Sequence, residues 1–535
     1  MIVRVLTHGA AVVASLAGVA PVSAQATSEQ VREVDGIFAH WATGTSPGCA
    51  VSVMHKGNLL VDRAYGMADL DLGVPVRTDS VFEAGSTSKQ FTAAAIILLA
   101  RAGRLGLDDD IRKYLPEMPN YGPRITIRHL LHHVSGLRDW GGAAAVEGWP
   151  RDSRTVTNAD VLAIAARQKA LNFAPGSHYL YSNTNFNLLA IIVQRVSGQT
   201  LASFTKAQIF MPLGMTETRW RDDHTAIVPR RAHAYVREGN VWAIGQPIED
   251  AYGNGGLLTT VRDLQIWNAA LESDKLGPGF TAAMENQINL TGGGKLAYAA
   301  GLFKLAHNGL PEIGHPGATG GYRAWLGRYP TQHLSVALLC NAGDADTTAL
   351  ARRVADIFLP PYRAPAYTQP QPHRPEGVYV NSVSNYPVWF GAVNGRLSIG
   401  GQTLDPTGLG RWRIGTGTYV FDGRQLTLET QEGDRIPYRK ANWSPPASAV
   451  TYAGRYCSID NGACWRITAA GSAAFVSPAR APEIRLDPAY GDVFTLANGG
   501  MIRFVRNPGG QINGFNYSDP RDYEMRFMRV TPGRR

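Results

Sequence analysis

Val81-Phe82-Glu83-Ala84-Gly85-Ser86-Thr87-Ser88-Lys89-Gln90-Phe91-Thr92 passes from a turn at Gly85 into an apolar run whose spacing (Phe91, Ala94, Ala95, Ile97, Leu98, Leu99) predicts a helix. Ser86 then lies in the first turn and Lys89 one turn later on the same face, which sets an amine beside a hydroxyl. A serine hydroxyl is a poor nucleophile until a base takes its proton, and the free N–H groups at a helix start favour a developing anion. Ser-x-x-Lys supplies all three within one turn. The spacing alone is common, since Ser203-Phe204-Thr205-Lys206 also has it. Partners elsewhere in the chain must distinguish the two.

Tyr181-Ser182-Asn183 ends a turn-rich loop, Ala174-Pro175-Gly176-Ser177-His178, and leads into the amphipathic run Leu188 to Val193. A tyrosine and an amide at the mouth of a helix can be rigidly aimed, as a proton carrier and a clamp on a substrate amide must be. Tyr252-Gly253-Asn254 and Tyr379-Val380-Asn381 share the spacing, so context alone favours Tyr181. His315-Pro316-Gly317-Ala318 sits in a glycine-dense stretch before two strand-like runs, and glycine there lets a ligand approach the backbone. His307-Asn308-Gly309 has the same His-x-Gly form but reads as a hairpin turn. Gly44-Thr45-Ser46-Pro47-Gly48 matches the Gly-x-Ser-x-Gly elbow, yet it precedes a strand, whereas that elbow needs a strand before it and a helix after it.

The chain has 535 residues, 44% hydrophobic and 18% charged, an ordinary globular composition with room for two to four domains. Its net charge of +9 is scattered, with no basic run or base-stacking motif, which argues for a solvated surface and against a nucleic-acid partner. Residues 1–24 read as a signal peptide: Arg4 and His8 precede a small-apolar run, and Val22-Ser23-Ala24 offers a cleavage site. That run falls short of the roughly 20 residues a membrane span needs, so no stable membrane insertion is expected. Periplasmic or secreted location follows. His129, His132 and His133 have helical spacing but no accompanying His-Glu-x-x-His or cysteine cluster, so they are assigned to structure. Cys457 and Cys464 flank an Asn461-Gly462 turn that suits a cross-strand disulfide, while Cys49 and Cys340 read as buried free thiols, with a bridge between them as the alternative.

After a predicted helix from Thr347 to Phe358 the composition changes. Residues 363–374 form a Pro-rich linker, and beyond it alternating runs and turn signals predict two small all-β barrels, 375–444 and 447–535, with no convincing helix. The catalytic part spans 28–362.

In their order along the chain, Ser86-x-x-Lys89, Tyr181-x-Asn183 and His315-x-Gly317 together resemble the penicillin-recognising serine hydrolases, which include class C β-lactamases, DD-peptidases, esterases and D-aminopeptidase. Supporting stretches are Ser135-Gly136-Leu137-Arg138-Asp139, Phe173-Ala174-Pro175-Gly176 and Met211-Pro212-Leu213-Gly214-Met215. The plan looks most like D-aminopeptidase, and linearised-microcystin peptidase has a comparable length and export signal. The resemblance implies an α/β (α+β) β-lactamase-like domain, an antiparallel sheet with helices on both faces. It makes Ser86 the acylated nucleophile and divides base and acid duties between Lys89 and Tyr181. Asn183 would hold the substrate amide, and the N–H groups of Ser86 and Ala318 would form an oxyanion hole. His315 stands where β-lactamases carry the lysine of Lys-Thr-Gly, with Pro316 replacing a hydroxyl and Gly317 retained.

The expected function is therefore an exported serine peptidase or amidase acting on small peptides or amides, including those with D-residues, without metal or cofactor. A carboxylesterase or weak β-lactamase of the same fold is the alternative, as is, in another class, a receptor acylated without turnover. A homodimer is left open. His315 is expected to charge as pH falls through about 6 to 7 and so to grip a substrate carboxylate more tightly on acidification.

Overall fold

Hairpin turns at Lys56-Gly57 and Asn308-Gly309, each with positive φ at both residues, reverse the chain inside a six-stranded antiparallel sheet. Its strands are β1 (Cys49–His55), β2 (Asn58–Tyr65), β3 (Phe303–His307), β4 (Leu310–Thr319), β5 (Tyr322–Tyr329) and β6 (Leu334–Cys340), in the order β3-β4-β5-β6-β1-β2. The structure is a computed structural model that describes residues 25–149, 151, 153–363, 367, 369, 371 and 373–530. The expected signal peptide and part of the linker lie outside the described residues.

Helices cover both faces. On one side α1 (Ser28–Phe38) and α5 (Thr347–Asp356) pack Val34, Phe38 and Val354 on Val51, Val53, Trp325 and Leu338. On the other lie α2 (Lys89–Arg101), α3 (Asn183–Ser197) and α4 (Val261–Glu272), whose Phe91, Ile96, Phe186, Leu264 and Trp267 share a core with Ala50 and Leu326. Ten of the 13 residues of α2, from Lys89 to Ile97 and Leu99, are buried, which suits a helix that is apolar nearly all round and runs through the middle of the domain. The Oε1 of its buried Gln90 accepts from Trp267 Nε1 at 2.9 Å.

Residues 377–441 form a nine-stranded antiparallel sheet, and 454–530 close into an eight-stranded barrel. A short helix, Ala449–Tyr452, precedes the closed barrel where the sequence predicts none; it buries Tyr452 against Phe494 and Phe504. The barrel is not an appendage. Trp465, Phe515 and Phe527 belong to one hydrophobic cluster with Trp140, Val146 and Ile164 of the catalytic domain, and Trp465 Nε1 donates to the Val146 carbonyl at 3.1 Å.

Both cysteine pairs are disulfides. Cys457–Cys464 joins opposed residues of a hairpin, as its turn predicts. Cys49–Cys340 corrects the reading of two free thiols: sheet order sets β1 beside β6, and these residues, 291 apart in sequence, face each other in register. A cross-link closing so long a loop restricts the unfolded chain strongly. Replacing Cys49 and Cys340 together with Ala should therefore lower unfolding free energy by about 2–4 kcal/mol in denaturant titration, and the Cys457/Cys464 double replacement should cost less.

Candidate active site

The turn that carries Ser86 is a 3-10 segment, Gly85–Ser88, running straight into α2. It is pressed against the end of β4. A Cβ on Gly85 would lie 2.6 Å from the Ala318 nitrogen, and one on Gly317 would lie 2.0 Å from the Ala84 carbonyl oxygen, so both positions need glycine for this contact. Thr87 Oγ1 pins the same junction by donating to the His315 carbonyl at 3.1 Å. Ser86 and Ala318 consequently line one cleft, with Tyr181 and Asn183 from the start of α3 on another wall.

Lys89 lies beneath that cleft with no solvent exposure. Its Nζ is 3.2 Å from Ser86 Oγ, 3.0 Å from Asn183 Oδ1 and 2.6 Å from the Asn254 carbonyl oxygen, and it sits 4.6 Å from the Tyr181 ring centre. Burial drives its pKa well below the usual lysine range, with Arg521 and Arg151 adding to the effect and Asp139 opposing it. Tyr181 moves the other way. Its phenol is raised by burial and only partly lowered by Ser86, and its hydroxyl is buried without a completed hydrogen bond.

Asp139 holds the start of α3. Its Oδ2 accepts from the Asn183 N–H at 2.7 Å and its Oδ1 from Gly141 N–H, which places a carboxylate at the positive end of the helix. Its own N–H donates to Asp522 Oδ1 at 2.7 Å, tying this segment to a loop of the closed barrel. Through that loop Arg521 reaches the cleft, 5.2 Å over the Tyr181 ring.

His315 is placed differently from the sequence expectation. Its ring is turned under β4, 1% exposed, with Nε2 3.0 Å from Tyr298 Oη, Nδ1 2.5 Å from the Pro316 carbonyl oxygen, and Phe303 packed alongside. A carbonyl at Nδ1 requires the proton there, leaving Nε2 to accept from the Tyr298 hydroxyl. Burial, then Lys89, pushes its pKa down to about 3, so it stays neutral where a titration near 6 to 7 was expected. The three histidines assigned to structure also face separate partners: His129 caps Thr126, His132 meets the Arg128 and Asn286 carbonyls, and His133 Nδ1 accepts from the Ser182 N–H. Ser203 is exposed and hydrogen-bonded to Thr200 at the next helix cap, away from the cleft.

Several cleft residues escaped the sequence reading. Asn254 belongs to a Tyr-x-Asn match that context disfavoured; it contributes a backbone carbonyl to Lys89 and a side chain that accepts from Asn187 Nδ2 at 2.8 Å. Glu83 with Arg221, Glu249 with Arg151, and Arg521 also line the cleft. Charged residues carry no spacing signal of their own, and these come from distant segments.

A serine hydroxyl, a buried amine and a phenol around one cleft, on an antiparallel sheet flanked by helices, are the arrangement of a serine hydrolase of the β-lactamase fold. The chain belongs to the Beta-lactamase family, whose model matches residues 34–358. It is 30% identical over 336 residues to penicillin-binding protein 4* of Bacillus subtilis, an alignment covering 58% of this chain and 72% of that one. It is 28% identical over 350 residues to the D-aminopeptidase of Gluconobacter oxydans, covering 62% of this chain and 63% of that one. Among solved structures, the octameric penicillin-binding protein homologue from Pyrococcus abyssi matches with a TM-score of 0.54 at 19% identity, covering 94% of this chain and 99% of that one. The D-amino acid amidase from Ochrobactrum anthropi matches at the same TM-score and 22% identity, covering 62% and 99%. At those identities the two structures bear on the fold alone.

A base must be deprotonated to act, so kcat/KM should fall as pH drops through the depressed Lys89 pKa, with a single-proton slope and a midpoint well below 10.5. Because His315 remains neutral, His315→Gln should leave that midpoint in place, whereas Lys89→Arg, charged at every working pH, should lose roughly 10³-fold in kcat/KM.

Proposed function

We propose that the chain is an exported serine peptidase or amidase that cleaves peptide or amide bonds through an acyl-enzyme on Ser86. The observation that carries this reading is the buried Lys89 amine beside Ser86 Oγ. A neutral amine has two N–H donors and one lone pair. The Asn183 Oδ1 and Asn254 carbonyl oxygens accept both donors, which leaves the lone pair facing the Ser86 hydroxyl.

Ser86 then donates its proton to Nζ as Oγ bonds to the substrate carbonyl carbon. The oxyanion is received by the N–H groups of Ser86 and Ala318, a contribution of about 3 kcal/mol per donor in other enzymes. Asn183 Oδ1 is held by Lys89, so its Nδ2 is the end available to a substrate carbonyl. Burial keeps Tyr181 protonated, which suits it to hand a proton to the departing nitrogen, and the proton held on Lys89 restores the balance. Water attacking the acyl ester releases the acid and frees Ser86.

One curated relative supports an amide substrate by name, the D-aminopeptidase. Two disulfides suit an oxidising compartment outside the cytosol, and no helix among the described residues is long and apolar enough to cross a membrane. The neutral, buried His315 offers no cation to a β-lactam carboxylate, which favours peptides and amides over β-lactams. Ser86→Ala should lose roughly 10³-fold or more in turnover and all labelling by a serine-directed acylating probe, while Ser203→Ala stays near wild type. Assay against D- and L-aminoacyl amides, linear peptides, p-nitrophenyl esters and a chromogenic cephalosporin reads the substrate class. Full activity in Ser86→Ala defeats the proposal.

A further inference from the structure

Lys89 and His315, the basic groups the sequence brings to the nucleophile, are held toward neutrality by burial, so a charged substrate must find its partner elsewhere in the cleft. Three arginines line it. Arg221 is engaged by Glu83, with Nε and Nη2 at 2.9 and 3.2 Å from its two carboxylate oxygens. Arg151 is engaged by Glu249. Arg521 differs: among the described residues its nearest acid is Asp139, at 3.6 Å, beyond hydrogen-bonding distance, and the Asp139 oxygen concerned already accepts from Asn183 N–H.

The loop presenting Arg521 is braced from both domains. Asn172 Nδ2 donates to the Arg521 carbonyl at 2.9 Å and Asn172 Oδ1 accepts from Tyr523 N–H at 2.8 Å, while Asp519 Oδ1 accepts from the N–H groups of Arg521 and Asp522. Gly142 permits the approach, since a Cβ there would fall 1.8 Å from Asp522 Oδ2. The guanidinium lies 5.2 Å from the Tyr181 ring centre, and its donors other than the Nη1 that faces Asp139 are open to a planar anion.

We propose that Arg521, delivered by the closed barrel, is the specificity residue that receives a substrate carboxylate on the leaving-group side of the scissile bond. The side follows from Tyr181. A nitrogen protonated by its hydroxyl must depart beside that ring, and a carboxylate one residue's reach from that nitrogen comes under the guanidinium above it. The residue released would thus carry a free carboxylate. The inference rests on the acyl-enzyme reading for its geometry but is tested by binding, which needs no turnover.

The probes are N-acetyl-alanyl-alanine, as D,D and L,L isomers, its C-terminal amide, and alanyl-alaninamide, titrated calorimetrically into full-length Ser86→Ala. The acid of the better-bound isomer should bind on the order of 10-fold or more tighter than its amide, and adding Arg521→Ala should abolish that preference while Arg521→Lys keeps part of it. Since Arg521 also acts on Lys89, the kinetic readout on wild-type Ser86 is the ratio of kcat/KM for a 3-carboxy-4-nitroanilide to that for the plain 4-nitroanilide, in which any common effect cancels. That ratio should collapse in Arg521→Ala. Equal binding of acid and amide, no measurable binding of the acid, or a preference that survives Arg521→Ala overturns the proposal. So does tighter binding of alanyl-alaninamide, which would point to the unpartnered Oε2 of buried Glu249 as the recognition group for an ammonium. Turnover by Ser86→Ala would instead defeat the serine reading, and the binding comparison would still be read independently.

Discussion

The site depends on one amine kept out of water. Taking an ammonium out of water costs several kcal/mol, so burial shifts Lys89 toward its uncharged form, the form that the proposed role as base requires. Its surroundings also fix its direction. Nζ is held by one side-chain and one backbone carbonyl oxygen, and its remaining direction is toward Ser86. Asn183 and Asn254 therefore orient the Lys89 amine as well as satisfying it.

That arrangement draws in the rest of the fold. Asn183 is fixed by α3, whose first N–H is held by Asp139; Asn254 is fixed by the glycine-rich bend before α4, with Asn187 of α3 bracing its side chain. Ser86 is fixed by the contact of its turn with β4, where glycines at 85 and 317 bring two backbones closer than any side chain allows. Sheet, central helix and second helix each contribute one wall, so the cleft exists only where the three meet.

Within Ser86/Lys89 and Tyr181/Asn183 the spacing brings each pair onto one helical turn or one loop, but it is the three motifs in order, with the resemblance they carry, that single these residues out from other matches such as Ser203/Lys206. Individual hairpins and helices are legible from turns and apolar periodicity and the two β segments from their alternation, whereas the sheet with helices on both faces follows from the family resemblance that the three motifs carry together. What escapes is everything set by packing at a distance. The position of His315 is evident, but the direction of its ring is decided by Tyr298 and Phe303. The Cys49–Cys340 bond follows from strand order, which no local pattern encodes. Asn254 acts through a backbone carbonyl, a group every residue carries, and Arg521 reaches the cleft only because the barrel docks where it does.

That docking is built into the geometry of the cleft. Arg138 Nη1 donates to Asp460 Oδ2 of the barrel at 2.8 Å with both side chains 2% exposed, and Arg138 Nη2 donates to the Tyr523 and Glu524 carbonyls. A buried ion pair adds little net stability over apolar packing, but breaking one costs about 3–5 kcal/mol, so the pair penalises any other placement of the barrel. The next residue, Asp139, donates its backbone N–H to the same loop, and its carboxylate accepts from the N–H at the start of α3. Separating the barrel would strand Arg138 and Asp460, expose Trp140 and Trp465 to water, and remove a support of the residue that positions Asn183. Barrel and cleft thus share one hydrogen-bonded network, and the orientation of Asn183 toward Lys89 is a property of the full chain.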